Sequence, residues 1–324
     1  MYPYKFKPIF KPTLWGGNKI AKFKRIQSPE QIQAGESWEI SCIPGYESVV
    51  SNGTDIGKSL HELIKEHKSL LVGKENYQQF GDHFPLLVKF IDACDELSIQ
   101  VHPNDALAQA RHQTMGKTEM WYIIDNEHGK GHLCPGLKQP ITPEDFTSLI
   151  EENRICDVLA NYPVQPGDAF YLPAGRIHGI GAGCFIAEIQ QSSDITYRIY
   201  DYNRKDKNGN SRELHTELAK DAIDYNVAND YHIPYTAMEN EPVELINSPY
   251  FTTSVYNLTE NMTMDYSELD SFVILVCVEG SCSICDNEKN VVELHAGETV
   301  LLPATTQEVN VYVEEQVKFL ETYV

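Results

Sequence analysis

The sequence predicts a mainly β protein, two jelly-roll β-barrels in tandem with flanking helices. Three observations lead there. Short apolar runs recur, each bounded by Gly, Pro or Asp: "SWEISCI", "LLVKFIDA", "LSIQVHP", "EMWYIID", "DAFYLPA" and "CFIAEIQQ". From about residue 240 the texture is β again, in "SFVILVCVEGSCSI", "VVELHAGETVLLPA", "EVNVYV" and "VKFLETYV". A segment also repeats: "GDAFYLPAGRIH" (167–178) returns as "GETVLLPATTQE" (297–308), both reading Gly–acid–three residues–Leu–Pro–Ala. At 324 residues the chain is too long for one small core. The expected division is 1–235, which carries the helical additions, and 236–324.

Helical patterns are fewer than strands. "GKSLHELIKEHKSLL" has apolar residues at three-to-four spacing and predicts a helix over about 57–71. "PNDALAQARHQ" offers Asn104 or Asp105 as an N-cap, "TPEDFTSLIEENRICDVLANY" opens Thr–Pro–Glu, and "SRELHTELAKDAIDY" opens Ser–Arg–Glu–Leu. The N-terminal "MYPYKFKPIF" has no apolar signal-peptide core, and no run of about 18 apolar residues appears, so neither secretion nor a membrane span is expected. The eight cysteines fall mostly inside apolar strands, as reduced core thiols of a cytoplasmic protein do. Cys282 and Cys285 have no second pair to complete a zinc site, so they too read as core.

Charge excludes one class of partner. With 26 Lys and Arg against 47 Asp and Glu, the formal net charge is −21, opposite to what nucleic acid requires. An anionic substrate would have to be caught by local cations against the overall field.

The chemistry begins at "SIQVHPND". In a strand, residues i and i+2 share a face, so Ser98, Gln100 and His102 look one way and Leu97, Ile99 and Val101 the other. Lys117 and Glu119 of "GKTEMWYII" likewise share a face, and His178 follows the Pro–Ala–Gly turn of "GDAFYLPAGRIH". One small barrel lined by these strands gathers an amide oxygen, two imidazoles and a carboxylate, a donor set that suits a divalent zinc site with room for water. A buried Glu beside two His is costly unless a cation compensates it. A single strand histidine is more often a packed or surface group, and there are eleven here; the conjunction is what carries the argument.

These motifs bring a resemblance. "GDAFYLPAGRIH" matches the second cupin motif. "GESWEIS" (35–41), "LSIQVHPND" (97–105), "KTEMWY" (117–122) and "GRIHGIG" (175–181) resemble type I mannose-6-phosphate isomerases of the short bacterial branch. The resemblance extends from "PTLWGG" to the C-terminal repeat, and its Gln-x-His pair is specific, because ordinary metal cupins carry His-x-His. It implies two cupin-type jelly-roll barrels. Residues 1–235 would be the catalytic cupin domain, and one zinc per chain would be held by Gln100, His102, Glu119 and His178. Residues 236–324 would be a degenerate cupin without metal, since Thr305 and Glu308 stand where the first copy has Gly175 and His178.

The resemblance further implies interconversion of D-mannose 6-phosphate and D-fructose 6-phosphate through an enediol. Lys89 and Lys117 match family lysines, Glu188, Asp194 and Arg198 follow the last histidine in comparable order, and Arg204 falls where longer relatives have a lysine near the phosphate. The expected catalytic set is Arg198, Lys117, Glu188 and Lys89; the expected substrate-binding set is Arg198, Arg204, Lys117 and Lys89. Glu188, Lys89, Lys117 and a zinc-bound water are each chemically able to move the proton, while the planar guanidinium of Arg198 suits an anion or enediolate contact. Trp15, Trp38 and Trp121 read as packing anchors. The chain departs from longer relatives in lacking their central helical insertion, and from enterobacterial ones in having Gly116 before the lysine. The expected partner is a phosphorylated hexose, with the chain a monomer or homodimer and no nucleic acid or membrane involved. Rival readings are an iron-dependent cupin dioxygenase, which Gln100 fits poorly, and a non-catalytic sugar-binding bicupin, which would not need the Lys and Arg cluster.

Overall fold

The computed structural model describes residues 1–28, 32–206 and 208–324. Eight of the strands of the first unit frame the site: β1 (Ile9–Lys11), β2 (Glu36–Ile40), β3 (Leu86–Asp92), β4 (Ile99–Val101), β5 (Glu119–Asn126), β6 (Ala169–Leu172), β7 (Cys184–Gln191) and β8 (Tyr197–Tyr200). Six of them form one antiparallel sheet in the order β6-β5-β7-β3-β2-β1. The facing layer pairs β8 with β4 and continues through a backbone pair between Gln100 and His178. It runs on to three short strands at Gly179–Ile180, His132–Cys134 and Tyr162–Pro163.

β3 and β7 are buried along their whole length because both of their faces are covered. One face (Ile91, Trp121, Ile123, Ile186) packs against Leu97, Leu133 and Ile180 of the facing layer. The other (Leu86, Val88, Phe90, Met120, Ile189) packs against Phe272, Ile274, Val276 and Leu320 of the C-terminal unit. This explains why "LLVKF" and "CFIAEI" read as continuous apolar runs rather than alternating ones.

The second unit comprises β9 (Val243–Asn247), β10 (Thr252–Leu258), β11 (Met262–Asp265), β12 (Val273–Asp286), β13 (Val291–His295), β14 (Thr299–Leu302) and β15 (Glu308–Tyr323). The two expected barrels are not confirmed: among the described residues no continuous ladder closes either unit. The first is an open two-layer sandwich. The second is one seven-stranded sheet folded over on itself, because β12 and β15, 14 and 16 residues long, pair with each other through both leaves. Register shifts flank the fold-over at Gly280. There φ is +72° and an added Cβ would lie 1.9 Å from the carbonyl oxygen of Gln316, so only glycine fits.

The repeat is the same local structure twice. In each copy the acid caps its own turn: Asp168 accepts from Gln165 N at 2.8 Å, and Glu298 accepts from His295 N at 2.9 Å. Each is followed by a strand and a Pro turn, closed by Arg176 N to Pro173 O and by Thr306 N to Pro303 O. The copies differ after it. Gly175 has φ +92° and donates its N–H to the carbonyl of His102 at 2.8 Å, whereas Thr305 is exposed at the surface.

The helices are shorter than the patterns predict. The 57–71 helix is interrupted at Lys68, whose φ is +51°, giving α1 (Leu60–His67, with a Ser59–Glu62 capping box) and a turn at Ser69–Val72. Asn104 caps α2 (Asp105–His112), and Thr142 caps α3 (Pro143–Glu151), beyond which a 3-10 turn takes over at Ile155–Val158. The helix expected from Ser211 begins only at Thr216, in α4 (Thr216–Ala222). Residues before it are held instead along β8, His215 N donating to Arg198 O at 2.7 Å. No described helix is long and apolar enough to cross a membrane.

Two outcomes follow from the second unit. Gly280→Ala should lose about 1–3 kcal/mol, the usual cost of a disallowed backbone position, read as a lower midpoint of thermal unfolding. Glu321 on β15 lies opposite Leu275 and is buried, held by the hydroxyls of Tyr266 (2.6 Å) and Tyr256 (3.4 Å). Burial raises its pKa although those hydrogen bonds oppose the shift. An acid whose folded pKa is raised favours folding only while protonated, so its ionisation destabilises as pH rises past the unfolded value, about 4.3. Glu321→Gln should therefore raise the unfolding midpoint near pH 8 more than near pH 4; an equal effect at both would contradict the account.

Candidate metal centre

The register of the two layers assembles the site. On the six-stranded sheet, Glu188 of β7 lies between Lys89 of β3 and Trp121 of β5, and Gln190 lies opposite Glu119. On the facing layer, Gln100 of β4 lies between His178 and Arg198 of β8. One row therefore reads Lys89–Glu188–Trp121 and the other Arg198–Gln100–His178. Gln100 and His178 exchange both backbone hydrogen bonds at 2.9 Å, which sets their side chains side by side. Gly175 makes this possible: its N–H on the His102 carbonyl brings the Pro–Ala–Gly turn against the strand end.

Between the rows stand His102, Glu119 and His178, which are 2%, 0% and 2% exposed, so their ligating atoms face one another away from water. Glu119 Oε1 is 3.3 Å from His178 Nε2, and Oε2 is 3.5 Å from His102 Nε2. Donors on a tetrahedral ion with bonds of about 2.0–2.2 Å lie roughly 3.4 Å apart, so the spacing fits a small divalent cation. Each histidine points its Nδ1 at a backbone carbonyl, His102 at Ile195 O and His178 at Arg176 O, both at 2.8 Å. Each Nε2 is thereby left with its lone pair toward the centre. Burial, then the Lys117 ammonium, hold His178 down to about 3 and His102 well below the usual imidazole range, so both are neutral.

Glu119 Oε1 is buried without a hydrogen-bond partner, which a cation would satisfy. The amide head of Gln100 lies 3.3 Å from His178 Nε2 and can turn its oxygen to the same point. The residues present thus fit a divalent metal with borderline-to-hard donors.

Alongside lies a cavity of about 190 Å³ lined by Gln100, Lys89, Lys117, Glu188, Arg198 and Arg212, with Trp15 and Trp38 on its wall. Lys117 donates to Glu119 Oε2 and lies 3.1 Å from His102 Nε2. Glu188 Oε1 is 3.1 Å from Lys89 Nζ, and Oε2 accepts from Trp121 Nε1 at 2.8 Å. Burial alone would raise the Glu188 pKa, but Lys89 and Lys117 outweigh it and hold the carboxylate down to about 2. Glu119, with burial first and the Glu188 charge second, is pushed up.

A model of the type I phosphomannose isomerase catalytic domain matches residues 4–134, and one of the mannose-6-phosphate isomerase cupin domain matches 243–320. Mannose-6-phosphate isomerase ManA of Bacillus subtilis is 36% identical over 312 residues, 93% of each chain. The chain belongs to the type I phosphomannose isomerase family. Mannose-6-phosphate isomerase of Streptococcus mutans is 34% identical over 300 residues, 90% of this chain and 89% of that one. A crystal structure of mannose 6-phosphate isomerase from Bacillus subtilis superposes with a TM-score of 0.88 at 30% identity, over 100% of both chains. The members of this family are aldose–ketose isomerases, and with membership the dioxygenase and the sugar-binding bicupin fall away.

The structure brings together Gln100, His102, Glu119, His178, Lys89, Lys117, Glu188 and Arg198. It does not bring Arg204. That guanidinium is taken up by Asp201 and by the carbonyl of Glu96, outside the cavity lining. Arg212 lines the cavity in its place. Trp15 and Trp38 form cavity wall besides packing, and Glu36, which alternation with Trp38 in "GESWEIS" could have revealed, lines it too.

Replacing His178 with Ala should remove bound divalent metal, read by elemental analysis, while the circular dichroism spectrum keeps its β signature, because the sandwich is held by apolar layers on both sheet faces. Full metal occupancy in that variant would refute the ligand set.

Proposed function

We propose that the protein interconverts D-mannose 6-phosphate and D-fructose 6-phosphate, with one zinc ion per chain held by Gln100, His102, Glu119 and His178. The observation that carries this reading is a buried His–Glu–His cluster beside a cavity that also holds Lys89, Lys117, Glu188 and Arg198. We assign the chemistry to residues 1–235 and a covering, metal-free role to residues 236–324.

Aldose and ketose differ by a proton moved between C2 and C1 and by the matching shift of the carbonyl, through an enediol. When bound, zinc supplies a Lewis-acidic charge that polarises the sugar oxygens. Glu188 is the group fitted to carry the proton. It is ionised, its Oε1 is buried with the Lys89 ammonium close by, and Trp121 fixes its other oxygen. Lys89, 3.1 Å away, keeps it ionised, and the Lys89 and Lys117 ammoniums offset negative charge as it develops on the sugar oxygens. Arg198, at the opposite side of Gln100 from His178, is placed for the phosphoryl end. Ile91, Leu97 and Ile180 give the same cavity an apolar part of its wall.

A coupled assay with mannose 6-phosphate, run before and after chelation and again after zinc is restored, tests the reading. Turnover should vanish and return; turnover indifferent to chelation, or restored by iron and not zinc, would contradict it. Glu188→Gln should lower turnover about 10²–10⁴-fold, the range for a lost general base, with metal content unchanged. Near-normal turnover in that variant would transfer the proton to another group.

A further inference from the structure

The cationic end of the cavity is built differently from what the order of residues along the chain implies. Arg198 spends Nη1 on the carbonyl of Glu213 at 2.9 Å, and its Nε is buried with no hydrogen-bond partner. The backbone before α4 is tied to the same residue: Arg198 N donates to His215 Nδ1 at 3.1 Å, and His215 N to Arg198 O at 2.7 Å. This tie replaces the helix expected at 211–215 and carries Arg212 to the cavity wall. Asp201, 5% exposed, grips Arg212 from behind, accepting from Nε at 2.8 Å through Oδ2 and from Nη2 through Oδ1. Oδ1 also accepts from Nε and Nη2 of Arg204.

One carboxylate thus answers two guanidiniums. Arg204 is further spent on Glu96 O and lies 3.6 Å from Asp95. Among the lining acids, Glu188 and Glu36 are within 3.8 Å of Lys89 and so are matched at the other end, and Asp194 is the one other acid of the lining. Burial, then the Arg212 charge, weaken the hold of Arg198 on its proton. An anion lying between the two guanidiniums would relieve that repulsion.

We infer that Arg212, together with Arg198, binds the phosphoryl dianion of the sugar, and that Asp201 is a positioning residue holding the plane of Arg212. Arg204 is the counter-cation that lets Asp201 stay ionised in a buried place and does not itself touch substrate. This inference rests on the isomerase reading for the identity of the sugar. The anion site itself stands on the arginine geometry. Two guanidiniums fixed from behind present free N–H groups without further ordering, which suits a tetrahedral dianion better than mobile ammoniums do.

The test compares the zinc-loaded wild type with Arg212→Ala, Arg212→Gln, Arg212→Lys, Asp201→Asn and Arg204→Ala. Both KM for mannose 6-phosphate and the inhibition constant of inorganic phosphate should rise roughly ten- to a hundredfold in Arg212→Ala and Arg212→Gln, as for a lost hydrogen bond to a charged group. The larger part of the effect should lie in KM rather than kcat. Arg212→Lys should recover part of the phosphate affinity, and Asp201→Asn should weaken phosphate less than Arg212→Ala does. Unchanged KM and phosphate inhibition in two folded Arg212 variants would overturn the inference, as would a larger KM rise in Arg204→Ala than in Arg212→Ala. Inorganic phosphate should also raise the unfolding midpoint of the wild type and not of Arg212→Ala. That arm decides the anion site even if the wild type fails to turn over mannose 6-phosphate, an outcome that would strike only the isomerase reading.

Discussion

Two carboxylates, Glu119 and Glu188, are taken out of water between two apolar layers, at 0% and 3% exposure, and much of the first unit is arranged around that fact. An ionised group removed from water costs several kcal/mol unless it is paired and hydrogen-bonded. Glu188 is compensated within the protein by Lys89, Lys117 and the indole of Trp121. Glu119 is compensated only in part, since Lys117 reaches one oxygen and the other has no hydrogen-bond partner. The imbalance is what makes the place receptive to a cation. The histidines beside it stay neutral because their burial and the neighbouring ammonium both disfavour a further positive charge.

Such a cluster weakens the sheet that carries it. β3 gives Lys89 to the inner face, β5 gives Glu119 and β7 gives Glu188, so the cohesion of that face depends on fewer apolar residues. The opposite face makes up the difference. Leu86, Val88, Phe90, Met120, Ala187 and Ile189 form one continuous core with Phe272, Ile274, Val276 and Leu320 of the C-terminal unit. Val88 and Lys89 are neighbours in sequence and opposite in duty. The second unit lost the Gly and His of the repeat at positions 305 and 308 but kept the Gly–acid turn that starts its strand. The turn is needed for folding, and the left-handed glycine is needed only where a histidine must be swung against His102.

Most of the metal cluster was legible in the sequence because strand alternation is a local rule. Ser98, Gln100 and His102 share a face, as do Lys117 and Glu119, whatever the rest of the chain does. Leu97 escapes the rule and reaches the cavity, because regular strand begins only at Ile99. The repeat was legible because both copies use one turn with the same acid-to-backbone hydrogen bond. Barrel closure was not, because it depends on where long strands fold over, and the signal at Gly280 is a single residue. Arg212 was missed for a different reason. "SRELHTELAKDAIDY" has a good helical start at Ser211, but His215, whose ring accepts the Arg198 N–H and whose own N–H donates to the Arg198 carbonyl, holds the chain along β8. Tertiary pairing overrode local propensity, and Arg212 moved from a presumed helix surface to the cavity wall.

The charge of −21 shapes how such a cavity can work. At physiological ionic strength the Debye length is about 8 Å, so the field of distant surface carboxylates is largely screened before it reaches an approaching anion. What an anion meets inside is set by the groups within hydrogen-bonding range. There the structure places Lys89, Lys117, Arg198 and Arg212 in the lining of one cavity and matches two of the lining carboxylates to Lys89. The screened exterior and the cavity lining are therefore nearly independent electrostatic problems. A strongly acidic chain can hold a dianion without a basic surface, provided its cations are fixed in advance by buried partners, and Asp201, 5% exposed and shared between Arg204 and Arg212, is a partner of that kind.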